Sequence, residues 1–555
     1  MKMLLFLPLL LPLVASLDVT NSVSVSNEPV LPTRSPRRLL LVDGFTEYIG
    51  GICRQHALAN DIKVIDMVSP YIAMMLKSQG QVLPPHLIAP TEETLQDWLE
   101  VHQLDLPLER DSICFLAESD CGVVTAEKCA HLLGIETGNS PIEEIQSKFV
   151  ANEKLRVAGL PPLRQGLLGS WEEARLFLND LWLHDEDEYC VIQPTRGVAS
   201  DGAFLCRGLK EAEEKFRFLL SSPQYGGGLN QQVLVQQFIR GQEYAVDTVT
   251  RGGETKVLAI WRCHKVTPFV YKGSLLLDPR EDPELYTQIC DFVKAALHVN
   301  GVHNLPTHTT VKYVDSGSDK GLYLMEINPR FHAQHIVQIL RDCLGYDPMT
   351  AAIDACFHAD RYSRIPSIPT GLYKQGRIAH LAVPRGGRVR GVRHLDYLQS
   401  LPSVQHVLLA YAEGQEVRET VDIQSDGGYV TMVHADTEVV QRDYEKVLQL
   451  QREVYDIQEE GGEGSETIAV QGMQAVEQQQ GEEGRQERRR GGLESSPFDR
   501  DNMVQMIRNE EAGWATGNEP FQSTTIALTR AGLKLPKVAY RVLRGLRQGA
   551  MWGAG

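Results

Sequence analysis

The pattern of apolar runs changes near Ser140, and that change sets what the chain can fold into. Before it, "RRLLLVDG" (Arg37–Gly44), "KVIDMVS" (Lys63–Ser69) and "SICFLAE" (Ser112–Glu118) are short apolar runs separated by helix-like stretches, the first of which reaches Asn60. Strands that alternate with helices build βαβ units on a parallel sheet. No GxGxxG comes after the first run, so a dinucleotide-binding fingerprint is absent. After Ser140, "SKFVANEKLRVAGLP" reads as a helix closed by Gly159 and Pro161. Strand-like runs then succeed one another: Glu188–Pro194, Gln232–Thr250 around Arg240-Gly241, Lys256–Val266 and Thr307–Ile327. The Asp315–Gly321 cluster between the halves of the last run predicts a hairpin, and the whole set predicts antiparallel sheet.

Residues 370–440 form a smaller α+β segment with strands "GRIAHLAV" and "GGYVTMVHA", and Val439–Gln458 reads as one closing helix. Beyond it, "EEGGEGSE" and "VEQQQGEEGRQERRRGG" are low-complexity, a composition that cannot build a core and predicts disorder. The basic stretch Ile526–Gln548 is a loose tail or a surface helix broken at Pro536. At the other end, Lys2, the apolar Leu4–Val14 and the small residues Val14-Ala15-Ser16 predict a signal peptide over 1–16 and a polar spacer over 17–37. Such a leader implies entry to the secretory route, with secretion or onward delivery to an organelle such as a plastid. No segment reaches 18 apolar residues, so no transmembrane span is expected. The net charge of −17 excludes a general nucleic-acid binder, which needs a basic face. None of the ten cysteines forms a CxxC, so they read mostly as small buried apolar residues.

The chemistry lies in four places. "LYLMEINPRF" (Leu322–Phe331) ends an apolar strand in Glu326, Asn328 and Arg330. Residues two apart share a face of a strand. A carboxylate and an amide oxygen are hard donors suited to Mg²⁺, and an arginine fork suits phosphate or carboxylate. The bland alternative is a strand-end carboxylate paired with that arginine. In "VIQPTRGVASDG" a small-residue loop after a strand suits a phosphate cover, and Ser200, Asp201 and Gly202 would supply its backbone; an ordinary hairpin loop is the alternative. In "VLVQQFIRGQEY", Gln236, Gln237, Phe238 and Ile239 offer an edge for adenine and Glu243 an acceptor for ribose hydroxyls. Lys148, at a helix start, is a point charge able to reach phosphate.

Lys148 before a helix ending in "AGLPP", then "VIQPTRGVASDG", "QQFIRGQEY" and "LMEINPR" occur in an order that resembles the ATP-grasp superfamily, in particular its biosynthetic amino-acid and peptide ligases. "AESDCGVVTAEKCAHLLGI" is similar to the end of that family's leading domain, and "GGYVTMVHADTEVVQRDYEKV" to its C-terminal extension. The resemblance implies an α/β architecture: a Rossmann-like pre-ATP-grasp domain over 38–140, an ATP-grasp domain of two α+β subdomains over 141–365, an α+β extension over 366–458 and a tail over 459–555. It implies ATP and Mg²⁺ as cofactors, with small-molecule carboxylate and amine substrates; it sets no oligomeric state. Lys148, Gln193 and the loop would hold phosphates, Glu326 and Asn328 the metal. Arg330 and Lys265 would serve catalysis, with Arg262 as a lesser contact and His332 and His335 either lining the acceptor pocket or structural. The chain departs from the family at two positions. Gln193 stands where a lysine is usual, and Thr310, by register, where a second acidic ligand is usual. A degenerate ATP-grasp protein that binds nucleotide without ligation is therefore the alternative reading.

Overall fold

The computed structural model describes residues 36–78, 80–180, 188–195, 202–222, 229–332 and 335–458. The leader, nearly all of the spacer, the tail and its basic stretch lie outside the described residues, as do Arg196, Ser200 and Asp201. Among the described residues no helix is long and apolar enough to cross a membrane.

Strands β1 (Arg38–Val42), β2 (Lys63–Met67) and β3 (Ile113–Ala117) form a parallel sheet in the order β2-β1-β3. β1 is buried from Leu39 to Val42, as a strand covered on both faces must be. It ends at Asp43, whose φ of 54° an aspartate tolerates better than most residues. Asp43 then accepts from the Ser69 amide and the Ser119 hydroxyl, tying together the carboxyl ends of all three strands. Helix α1 (Asp120–Leu132) starts there, capped by Ser119, which accepts from the Gly122 amide.

Helix α2 (Lys148–Val157) is capped by Ser147 in the same way. β4 (Gln165–Leu168), β5 (Tyr189–Pro194), β6 (Phe204–Arg207) and β7 (Val233–Gln237) form a four-stranded antiparallel sheet, ordered β4-β7-β5-β6. β8 (Gln242–Arg251), β9 (Glu254–Thr267), β10 (Val270–Leu276), β11 (Pro306–Val314), β12 (Gly321–Asn328), β13 (Gln375–Ala382), β15 (Val404–Leu409) and β17 (Asp426–His434) form the large sheet. Its order is β12-β11-β8-β9-β10-β13-β17-β15, so the C-terminal segment continues it through β13. β14 (Gly387–Val392), β16 (Glu416–Val417) and β18 (Tyr455–Gln458) form a small sheet.

Helix α3 (Pro283–Val299) supplies Ile289, Val293 and Ala296 to a core shared with Val246, Ile260, Leu324 and, from the leading sheet, Leu40 and Ile65. Helix α4 (Pro348–Phe357) docks against the other side of the leading sheet, and its Cys356 forms a disulfide with Cys114 of β3. The expectation that the cysteines are mostly small buried apolar residues therefore needs that pair set apart; of the eight free ones described, only Cys121 is not fully buried. The single closing helix is also corrected. Helix α5 (Thr437–Leu450) ends early, and Tyr455–Gln458 leaves it to pair with β14, burying Tyr455 and Ile457 at alternate positions.

Candidate active site

The direction of the Glu326 and Asn328 side chains depends on one irregularity. Leu322 and Leu324 of β12 pack in the core with Ile327, three residues beyond Leu324. Strict alternation would put Glu326 on the core face with Leu324. Instead Val311 pairs with Leu324 but its neighbour Thr310 pairs with Glu326, so Met325 is a bulge. A bulge adds a residue on one strand and re-aims the side chains beyond it. Glu326 and Asn328 thereby turn to the face that carries Thr310 and His308 of β11 and Glu243, Ala245 and Asp247 of β8, because directly opposed residues share a face.

The two antiparallel sheets meet on that face through Lys148. Its Nζ lies 3.1 Å from Glu326 Oε2 in the large sheet and 3.2 Å from Gln193 Oε1 in the four-stranded one. Gln193 passes its amide hydrogen to Gln236, Gln236 donates to Gln165 at 2.9 Å, and Gln165 donates to the Phe149 carbonyl at 2.8 Å. A chain of neutral amides thus stands where a second cation was expected. The start of α2 is fixed by buried Asn152, which donates to the carbonyls of Lys148 (3.1 Å) and Leu324 (3.2 Å) and accepts from the Leu163 amide.

Burial alone would raise the Glu326 carboxyl, but the Lys148 ammonium and the Asn328 amide outweigh it and hold it at about 2. Glu326 is therefore ionised at neutral pH. Asn328 donates its amide hydrogen to Glu326 at 3.2 Å, which uses the nitrogen and not the oxygen. An ionised carboxylate and an amide oxygen on one face fit a hard cation. The Lys148–Glu326 pair is about one-third exposed, and pairs of that kind contribute roughly 1 kcal/mol or less. A pair this weak is readily exchanged for other charged partners.

The remaining cations are also held by internal partners. Lys265 pairs with Glu243 at 2.6 Å, and Tyr271 donates to the same carboxylate at 3.2 Å. Lys312, opposite Glu243, donates to the Ile239 carbonyl at 3.2 Å and lies over the Phe238 ring. The Gln237 amide donates to the Arg164 carbonyl, so that N–H is already engaged and does not offer itself to adenine. Gly202, at φ 74°, lies against Pro194, where a Cβ would sit 3.2 Å from the proline ring.

Arg330 does not stand free to face a phosphate. Its fork is closed on Asp120 at 2.8 and 3.0 Å, a bidentate pair that joins the large sheet to the first turn of α1. Beside it, burial pushes the Glu118 carboxyl up to about 7. Arg262 is corrected outright: it opposes Tyr244, on the sheet face away from Trp261 and Cys263, and so is not a site residue. His332 is engaged with Asp247, and His335 stacks on His406 with centroids 4.7 Å apart.

Asp120, Asn152, Gln165 and Asp247 are residues that sequence reasoning missed. Asp247 had a signal: a lone carboxylate in the run "YAVDTVT" must find partners when buried. Asp120 had none, because its partner lies 210 residues away.

Restoring the two departures gives a prediction. Gln193→Lys with Thr310→Glu is expected to tighten Mg-ATP binding by about 10- to 100-fold, from charge-assisted contacts of about 1–3 kcal/mol. It is also expected to lower the nucleotide-free Tm, because each new charge lies beside a like one, Lys148 or Glu326. Calorimetry and thermal melts with and without Mg-ATP check both; weaker binding in the double variant would mean the glutamine chain is itself the better phosphate contact.

Comparisons agree with this geometry. Residues 177–334 match the ATP-grasp domain, and residues 379–452 match the L-amino acid ligase C-terminal domain 2. Dapdiamide A synthase of Enterobacter agglomerans is 21% identical over 316 residues, 56% of this chain and 72% of that protein. The crystal structure of an L-amino acid ligase from Bacillus licheniformis superposes with a TM-score of 0.58 at 17% identity, covering 77% of this chain and all of that one. The biotin carboxylase domain of a Hydrogenobacter thermophilus 2-oxoglutarate carboxylase, solved with MgADP, superposes with a TM-score of 0.52 at 15% identity over 77% of this chain and 91% of that one. With two antiparallel sheets meeting at Lys148, the chain carries an ATP-grasp domain, followed by a segment that matches the C-terminal domain of the L-amino acid ligases.

Proposed function

We propose that the protein is an ATP-dependent carboxylate–amine ligase of the amino-acid or peptide type. The observation that carries this reading is Lys148 held between Gln193 of one sheet and Glu326 of the other, at the start of a helix. The names of the similar proteins, a dapdiamide synthase and an L-amino acid ligase, support the substrate class.

Phosphoryl transfer is mostly positioning and charge neutralisation. Glu326 and Asn328 would hold Mg²⁺, which supplies positive charge against the phosphate oxygens. Lys148 would leave Glu326 for phosphate, with Gln193 beside it as a neutral donor. A carboxylate oxygen of the first substrate attacks the terminal phosphorus, the bond to ADP breaks, and an acylphosphate forms. The amine of the second substrate then attacks the acyl carbon; phosphate leaves and the amine loses a proton. Arg330 and Lys265 would steady the reacting groups, each by exchanging a carboxylate partner.

Gln193 and Thr310 favour a second reading, a protein that binds nucleotide without ligation. ADP release by the purified chain against pairs of amino acids separates the two. Stimulation by particular pairs supports the ligase. Tight Mg-ATP binding with no stimulation across the panel supports the second reading.

We propose also that the chain enters the secretory route by residues 1–16. The Cys114–Cys356 disulfide supports an oxidising compartment. The N-terminal sequence of the mature protein, near Leu17 or at Met1, decides it.

A further inference from the structure

The face that carries Glu326 and Asn328 holds a second group of ligand atoms, which the proposed reaction does not use. Asp247 of β8 and His308 of β11 are directly opposed, and His308 is directly opposed to Asn328 on its other side. His332, in the segment after β12, completes the group. His308 Nδ1 lies 3.0 Å from Asp247 Oδ1, and His332 Nδ1 lies 3.4 Å from Asp247 Oδ2. One donor atom from each residue lies within 4.8 Å of the other two. The side chains are 2%, 15% and 11% exposed, so the group is sheltered but reachable from the site face.

From this juxtaposition we propose that Asp247, His308 and His332 bind a divalent transition-metal ion of the zinc class, at a position separate from the hard oxygen pair Glu326 and Asn328. Spacing is the first argument. Ligands about 2.0–2.1 Å from a tetrahedral ion are separated from each other by about 3.3 Å. The approach of His308 Nδ1 to Asp247 Oδ1 falls near that value, and the three donor atoms, all within 4.8 Å of one another, are near enough to gather on one ion. Ligand type is the second. Imidazole nitrogens select zinc-like ions, whereas Mg²⁺ prefers oxygen ligands and retained water. Support around the ligands is the third. Trp261 donates from Nε1 to Asp247 Oδ2 at 2.9 Å and sets its ring edge against His332, 6.0 Å between centroids and perpendicular. A carboxylate held by an outside donor keeps its other oxygen oriented for a ligand. Three protein ligands leave a fourth position open, and Asn328 is the neighbour across the strand. A cation there would bring positive charge to the same face on which Thr310 leaves the Glu326–Asn328 pair without a second carboxylate.

The test uses the full chain, stripped with a chelator, loaded with Zn²⁺ and desalted in a large molar excess of Mg²⁺. Metal content is then measured by mass spectrometry, and Co²⁺ serves as a visible probe. The expected result is about one Zn²⁺ per chain and a Co²⁺ spectrum of low-coordinate, nitrogen-containing type. His308→Ala and His332→Gln are expected to lower retention at least tenfold, while Glu326→Gln retains the ion. His332→Gln keeps a donor toward Asp247, so it decides if His308→Ala fails to fold. X-ray absorption of the Zn-loaded parent needs no variant: imidazole ligation supports the site, and an all-oxygen shell overturns it. Absence of retained Zn²⁺ would overturn it as well, leaving the three residues a hydrogen-bonded triad only. Because none of these readings involves turnover, they stand apart from the ligase assay.

Discussion

Glu326→Gln is expected to lower Mg²⁺-dependent ADP release about 100- to 1000-fold, the range for removing one well-placed charge-stabilising group, with the fold intact. The substitution keeps the shape and the contact with Asn328. It removes the negative charge that would hold the cation, on the residue whose carboxyl Lys148 and Asn328 hold at about 2 against partial desolvation. Thr310 opposite it brings a hydroxyl and no charge, so the face has no second carboxylate at that register position to take over. Lys148 keeps its contact with Gln193 and loses only the charge of its other partner, a pair worth roughly 1 kcal/mol or less, so melting should move little. ADP release by coupled assay and a thermal melt are the two measurements. Turnover near that of the parent would remove Glu326 from the metal role.

The second large effect is on stability. Asp120→Ala is expected to lower the unfolding free energy by about 3 kcal/mol, because it leaves the Arg330 guanidinium sheltered and without its bidentate carboxylate. Arg330 is 14% exposed, so water replaces Asp120 only in part. Replacing both members, Asp120→Ala with Arg330→Met, should recover most of the loss, since the cost lies in the orphaned charge more than in the missing pair. Urea unfolding of the parent, the single and the double variant measures this. A single variant within about 0.5 kcal/mol of the parent would show that the pair is a surface contact of the ordinary kind. The pair links the large sheet to the first turn of the helix that follows the leading sheet, and in the proposed mechanism Arg330 would reach a reacting group only as Asp120 lets go.

Period and order were legible in the sequence, and the elements that depend on them are present. The leading strands, the helix after Ser147 and the hairpin at Asp315 come from apolar runs and turn residues, and the structure has each of them. The shared face of Glu326 and Asn328 comes from their spacing of two. That the face is the outer one does not, since counting from Leu324 gives the wrong side; the bulge at Met325 decides it, and the sequence has no turn residue to announce it. Arg262 failed for the same kind of reason: "WRCHKV" names a cation but not the face it takes. Tyr455–Gln458 failed because its apolar spacing, continued from a helix, fits either period, and only the presence of β14 selects the strand. Pairings across long stretches of chain, Arg330 with Asp120 and Cys356 with Cys114, are set by tertiary packing and leave no local mark.

Oxygen transfer tests the central claim most directly. Amino acid labelled with ¹⁸O in its carboxylate is supplied with Mg-ATP and an amine partner from a pair that stimulates ADP release, and the phosphate produced is examined by mass spectrometry. If the carboxylate is activated as an acylphosphate, one labelled oxygen passes from the amino acid to each phosphate released. Phosphate without label, formed at the same rate as ADP, would show that water and not a carboxylate receives the phosphoryl group, and would contradict the account.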